Sequence, residues 1–505
     1  MSKSEARWSR AKYDAVVVGA GPNGLAAAVE LARSGLSVLV VEARSSIGGG
    51  ARTRELTLPG FRHDVCSTVH PLGAASPFFN SLSLERFGLT WIHSPAPLAH
   101  VLADGRAVML ERSVEATAQQ LGPDGESYQR LLEPFAERFS ELSPMVLSGL
   151  RWPHSPLLFA RFGAAALRSL SGLVRTEFRE DKAPALLAGI AAHAMVPLGQ
   201  LATASFALVL ASAAHAVGWP VALGGSQAII SALEACLFEH GGEVVTEFTV
   251  TKLAELPPAR AYVFDVTPRQ LLEIAGSSLS PSYARRLQRF RYGQGVFKMD
   301  WALRGALPWR DSACARAATV HLAGDLAEVA AAERSVHAGV LPKAPFVLVV
   351  QPSLFDPTRA PAAQHTLWAY CHVPHGSDVN ASSMIEDQIE RFAPGFRDLI
   401  LARRSTTPRE LERYDANYVG GDIAGGSSDL GQLFFRPVTS FDPYATSAPD
   451  IFICSSSTPP GGGVHGMCGY WAARSVLRRV FQHKGEGSCR VARDQGGDHD
   501  HRSWQ

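Results

Sequence analysis

The run Gly19-Ala20-Gly21-Pro22-Asn23-Gly24 has the spacing that lets backbone N–H groups close on a dinucleotide pyrophosphate. Side chains at Gly19, Gly21 and Gly24 would block that approach. Glu42 follows about twenty residues later, where an acid can accept hydrogen bonds from ribose hydroxyls. Two further residues carry acid–base chemistry. Lys298, in GVFKMDWALRGALPW, is one of only seven lysines and is flanked by apolar residues; it is either functional or a strand-edge lysine reaching water. His465 closes the turn Gly461-Gly462-Gly463-Val464-His465, where it either meets a ligand or is satisfied within the loop. His63 and His70, in FRHDVCSTVHPL, are read as structural, with a channel wall as the second reading. No nucleophile triad or carboxylate pair is evident. The seven cysteines include no C-x-x-C, so neither a zinc site nor a thioredoxin-type redox pair is expected, and no metal is assigned. Thiols this scattered are expected to be reduced and cytoplasmic.

These groups need elements to hold them. Tyr13 to Val18 is valine-rich, as a strand covered on both faces should be, and Leu25 to Ala32 is alanine- and leucine-rich, as a helix should be. Gly35 ends that helix, and Ser37 to Val41 is a second buried strand leading to Glu42. Together they predict a βαβ unit with the glycine turn at its first strand end. A second glycine loop follows at Gly48, Gly49 and Gly50, with Arg52 after it. From about 77 to 217 the pattern turns helical and rich in Ala and Leu. A helix is predicted after Gly224-Gly225-Ser226, then strands over 243–253 and 261–266. Strands over 295–303, 346–351 and 366–373 suggest an antiparallel sheet. Residues 449–454 read as a strand, and a helix follows from about Gly466 to Phe481.

At 505 residues the chain exceeds one simple core, so two domains are expected. Its 46% apolar and 19% charged residues fit a soluble or peripherally membrane-bound enzyme. A net charge of +1 gives no electrostatic case for nucleic acid. Met1 to Lys12 lacks the apolar core of a signal peptide, and 484–505 reads as a disordered tail. Leu201 to Val217 is nearly all apolar; a buried helix is the first reading and an interfacial surface admitting a greasy substrate the second.

Three separated motifs, VVVGAGPNGL with VVEARSSIGGGARTRELTLPGF, GWPVALGGSQAIISALEACLFEHGGEVVTEFTV, and IFICSSSTPPGGGVHGMCGYWAA, resemble the FAD-dependent phytoene desaturase and amine oxidase superfamily. The pattern is most similar to the bacterial phytoene-desaturase-like group of NAD(P)/FAD-dependent oxidoreductases and spans Tyr13 to Phe481. The resemblance implies an α/β two-domain flavoprotein. A Rossmann-type FAD-binding domain would comprise 12–76, 218–290 and 411–482, and a mixed-sheet plus helical substrate domain 77–217 and 291–410. It implies FAD as cofactor, with Gly19, Gly21 and Gly24 at the pyrophosphate, Glu42 at the adenosine ribose and Arg44 beside it. Gly48, Gly49 and Arg52 would lie near the phosphate and flavin, and Val250 would meet the adenine. Ser457 and Thr458 would approach the ribityl chain, and Gly462, Gly463 and Val464 would aim a helix N-terminus at the flavin. Lys298 falls at the strand position where amine oxidases hold a water against flavin N5, and His465 would donate to the flavin or touch substrate. Relatives that oxidise amines carry a cage aromatic where Gly463 stands, which argues against an amine and for a bulkier substrate. The implied reaction is dehydrogenation of a hydrophobic, isoprenoid- or lipid-like molecule, with oxygen, a quinone or another acceptor reoxidising the flavin. Amine or amino-acid oxidation, and a non-catalytic binding or chaperone role, are the alternatives.

Overall fold

The computed structural model describes residues 8–482; the tail 484–505, expected to be disordered, and Cys489 lie outside them. Five parallel strands form the first sheet, in the order Ile451–Ile453, Ala259–Phe264, Tyr13–Val18, Val38–Val41, Glu243–Val245. They come from three distant stretches of chain. The valine-rich composition of the inner strands follows from cover on both faces. The helix Pro22–Arg33 leaves the first strand through the glycine turn, with Pro22 at its first position. Asn23 through Ala32 of this helix are all buried, which explains its small residues. It is sandwiched between the sheet and the helices Gln227–Glu239 and Met467–Arg479. The crossing with Met467–Arg479 is tightest at Gly469, where a Cβ would overlap the Asn23 carbonyl oxygen and stand 2.8 Å from the Ala27 nitrogen.

The second sheet has seven strands, in the order Ile400–Thr406, Gly295–Leu303, His365–Val373, Val347–Val350, Ala317–Leu322, Ala96–Val101, Ala107–Leu110. All neighbours are antiparallel except Ala317–Leu322 with Ala96–Val101, so the sheet is mixed. Ala96–Val101 and Ala107–Leu110 arise within the stretch read from sequence as helical. The first of them, His100 included, is buried along its whole length, and a short run buried on both faces carries no period to tell strand from helix. The predicted strand over 243–253 is only Glu243–Val245, because Glu247 takes a positive φ of 58° and turns the chain away.

Helices cover one face of this sheet. The apolar run at Leu201 to Val217 is indeed a buried helix, Thr203–Ala216, and its His215 is satisfied by the Tyr128 hydroxyl at 2.8 Å. Among the described residues no single helix is long and apolar enough to cross a membrane, although Pro156–Ala166 and Leu170–Glu177, bent by 98°, reach that length and composition together. The six described cysteines are all free thiols and all buried.

Gly469→Ala is expected to cost about 2 kcal/mol of stability through overpacking of the helix crossing, read as a lowered midpoint in urea unfolding.

Candidate functional site

A cavity of about 410 Å³ lies at the carboxyl ends of the parallel strands, where ligands bind open α/β sheets. Its walls include Gly19 and Gly21, Glu42 and Arg44, Gly49, Arg52, Val250, and Ser455 to Ser457. Four separated segments of the predicted site therefore meet at one opening. Gly24, Gly48, Thr458, Gly462, Gly463 and Val464 do not line it. Gly24 and Gly48 act one step back: a Cβ on Gly24 would overlap the Gly19 carbonyl oxygen, and Gly48 holds φ at 126°, a conformation that favours glycine.

Glu42 is held in place before any ligand arrives. Its carboxylate accepts from the Ala20 and Arg44 backbone N–H groups at 2.9 Å each, and pairs with Arg52 at 3.3 Å. Each oxygen keeps lone-pair capacity for a ribose hydroxyl. Arg52 is almost fully buried and donates mainly to the carbonyls of Ser46, Ile47 and Gly49 and to the Tyr414 hydroxyl. It therefore organises the second glycine loop as well as fixing Glu42.

Asp265 was not singled out from sequence. It follows the strand Ala259–Phe264, and its Oδ2 accepts the Gly24 N–H at 2.8 Å. A Cβ on Gly21 would stand 2.8 Å from the same oxygen. Burial pushes this carboxyl up to about 7, with Asp415 and Glu42 adding repulsion against the Gly24 and Gly21 N–H donors. Asn417 braces it from the far side, donating to the Asp265 carbonyl at 3.0 Å. The FDVTP sequence carried one available signal, an acid at a parallel strand end.

These walls fit an adenine dinucleotide. The glycine turn opens a helix N-terminus onto the cavity, and Val250 and Phe248 supply apolar wall at the end beside Glu42. Asn23 Oδ1, on a residue that lines the cavity, is buried with no partner in the protein.

The C-terminal glycine turn is placed differently from the strand-end groups. His465 is buried, and its Nδ1 accepts the Met467 N–H at 3.0 Å at the start of the helix Met467–Arg479. Its backbone carbonyl accepts from the Ser76 hydroxyl at 2.7 Å. Burial pushes the imidazole down to about 4, so the ring is neutral and serves as a helix cap. Thr458 and Ser457 turn their hydroxyls to the carbonyls of Ser455 and Gly425, at 2.8 Å in both cases.

Lys298 is not at a strand edge reaching water. It is buried on the mixed sheet, paired with Asp300 on the same face, 5.9 Å from the Trp368 ring centroid. The other Asp300 oxygen faces His63 Nδ1 at 3.6 Å, and neither atom has another partner. Burial pushes His63 down to about 3, with the charges of Lys298 and Arg359 acting in the same sense. Cys66 lies beside Gly50 next to Tyr418, a cavity wall, and burial pushes its thiol up to about 11, with the Lys298 charge acting the other way. Lys298, Tyr370, Leu348, His321 and His100 stand in register across five strands. Above them His372 meets Glu333 at 2.7 Å and His193 meets His321 at 3.2 Å. His372 Nε2, Glu333 Oε2, His321 Nδ1 and His100 Nδ1 are all buried without partners.

Residues 17–82 match the NAD(P)-binding Rossmann-like domain. Over 555 aligned positions the chain is 27% identical to pyridine nucleotide-disulfide oxidoreductase domain-containing protein 2 of Rattus norvegicus, covering 92% of this chain and 94% of that one. It is 23% identical to the neurosporene-forming phytoene desaturase of Rhodobacter capsulatus, covering 90% and 92%. Among solved structures it is similar to wild-type putrescine oxidase bound to putrescine, with a TM-score of 0.59, 18% identity, and 93% and 99% of the two chains covered. At that identity the likeness speaks for the fold alone.

The raised Asp265 carboxyl has a definite sign. Between pH about 4 and 7 the folded chain holds a proton that the unfolded chain has released, so this group's contribution to stability falls as pH rises through that window. Asp265→Asn keeps an acceptor for Gly24 and removes the charge. Urea unfolding of the FAD-free protein is expected to show the variant gaining on the wild type from pH 5 to pH 8.

Proposed function

We propose that this chain, which is similar over nearly its whole length to pyridine nucleotide-disulfide oxidoreductase domain-containing protein 2 and to phytoene desaturase, is an FAD-dependent oxidoreductase that dehydrogenates or otherwise oxidises a hydrophobic, isoprenoid- or lipid-like substrate. FAD, when bound, would supply the two-electron acceptor. Gly19, Gly21, Glu42, Arg44 and Val250 would hold its adenosine and pyrophosphate, and Ser455 to Ser457 the chain beyond. The observation that carries the substrate class is the apolar layer on the sheet face that holds Lys298. The helices Lys182–Ala191 and Thr203–Ala216 fill one core with Trp368 and Tyr370 on that face, Lys182–Ala191 packing on the strands Ala96–Val101 and Ala107–Leu110. Such a layer excludes water from the reacting bond and offers an extended apolar surface little hydrogen bonding. Lys298, held by Asp300, would keep or move a proton at Nζ.

A second reading, oxidation of an amine or amino acid, draws on the unpartnered His321, His372 and Glu333 atoms on the same face. A polar substrate group could satisfy them. Gly463 still offers no side chain for an aromatic cage.

The purified protein is expected to be yellow and to bleach with dithionite. A colourless protein that FAD cannot reconstitute would favour the non-catalytic carrier reading instead. Mixed without oxygen with long-chain prenyl hydrocarbons and, separately, with primary amines, the loaded protein should bleach with the former; bleaching only with amines selects the second reading. Lys298→Met should slow reoxidation of the reduced flavin about a hundredfold. Unchanged reoxidation and substrate kinetics would remove Lys298 from the mechanism.

A further inference from the structure

The helix Thr203–Ala216, whose sequence raised the prospect of an interfacial surface, is buried, yet an apolar face does reach the outside nearby. Trp152 and Leu157 are each 87% exposed, and Leu150, Leu167 and Leu201 are exposed beside them in the fold or the chain. The Ala202 N–H donates to the Leu167 carbonyl at 3.0 Å, which brings Leu201 against the end of the helix Pro156–Ala166. Along that helix Leu157, Ala160 and Ala164 face outward, continued by Leu167, while Leu158, Phe162 and Ala166 face the core. Both sides of one short helix are therefore apolar. These five large side chains are a concentration: fourteen large hydrophobic residues are exposed among all the described ones.

The charges around this face have one dominant sign. From Leu150 to Arg175 the sequence holds four arginines and no acidic residue, in a chain whose net charge is only +1. Arg161 spends a hydrogen bond on the Arg130 carbonyl at 3.1 Å, and Arg151 lies 3.8 Å over the Trp471 ring. Beside the helix is a groove of about 260 Å³ with Leu131, Phe135 and Leu173 in its walls and Arg130, Arg161 and Arg168 at its edge. Glu177 pairs with Arg168 at 3.2 Å and Glu126 with Arg130 at 3.1 Å, which leaves the net balance positive. Exposed leucines and a tryptophan flanked by arginines suit the boundary between acyl chains and anionic headgroups, because the apolar groups leave water while guanidinium groups stay at phosphate level.

We propose that this face, Trp152 through Leu167 with Leu201, docks the protein peripherally on a membrane containing anionic lipid. The inner side of the same helix packs on Thr203–Ala216, so docking sets the helical layer of the mixed-sheet region against the bilayer. The proposal concerns the surface and does not depend on which substrate is oxidised.

Sedimentation of the full FAD-loaded chain with sucrose-loaded vesicles tests it. Vesicles of phosphatidylcholine with roughly a third phosphatidylglycerol should carry the protein down, and pure phosphatidylcholine vesicles much less. Raising salt from about 0.1 to about 0.5 M should weaken the binding. Trp152→Ser with Leu157→Ser, and separately Arg161→Glu, should each lower partitioning about tenfold. Phe238→Ser, at an exposed phenylalanine on the helix Gln227–Glu239, should leave it unchanged. An unaltered flavin spectrum in every variant certifies the fold. Binding that is absent, indifferent to these substitutions, or replaced by self-association that the same substitutions abolish would overturn the proposal; the last outcome would make the face an interface between copies.

Discussion

The backbone of the glycine turn and the carboxyl of Asp265 occupy almost the same space, and much of the molecule is arranged around that contact. Gly19, Gly21 and Gly24 each place a would-be Cβ against Asp265, and the Gly24 N–H is spent on it. The helix Pro22–Arg33 can then leave the sheet at only one angle. A second close crossing, at Gly469, fixes the C-terminal helix on the same support. Three distant stretches of chain thereby share one sheet, and their strand ends share one cavity. A carboxylate at a helix N-terminus is electrostatically favourable, but deep burial beside Asp415 and Glu42 works against its charge. A glycine turn with an acid beneath it is poised between those two tendencies.

The mixed sheet presents the same tension on a larger scale. Lys298 with Asp300, and Asp64 with Arg359 at 2.7 Å, are ion pairs withdrawn from water. Pairs of this kind are weak contributors to stability, since desolvation offsets most of their attraction, while removing one partner strands a buried charge. Asp64 also accepts from Thr53, Thr68 and the Ser226 N–H, so it ties the hairpin after the second glycine loop to the helix Gln227–Glu239. Burial pushes His100, His193 and His321 on this face down, which suits them to act as hydrogen-bonding surface without charge.

The βαβ unit was legible because its signal is local: valine runs, small helical residues, and glycines at fixed spacing with an acid after them. The strands at 295–303 and 365–373 were legible for the same reason. The strand Ala96–Val101 was not, because a run of six residues buried on both faces carries no period. Glu42, Arg44, Val250 and Ser457 were named from motifs and do reach one cavity, whereas Gly462 and Gly463 stand outside its walls. Asp265, Asn417 and Tyr418 escaped notice because single residues at strand ends or in loops acquire meaning only from what they face.

Sequence alone determined the cofactor-binding half of this protein. A backbone that must come within contact distance of the end of its own neighbouring strand tolerates only glycine, and that demand is written at fixed intervals. Only the tertiary structure decided the other half. It turned Lys298 inward to Asp300, spent the His465 ring on capping a helix, set His321 and His372 on the same face as Lys298, and left Trp152 and Leu157 in water. Side-chain direction, burial and partner are properties of packing between segments far apart in the chain, and no local pattern encodes them.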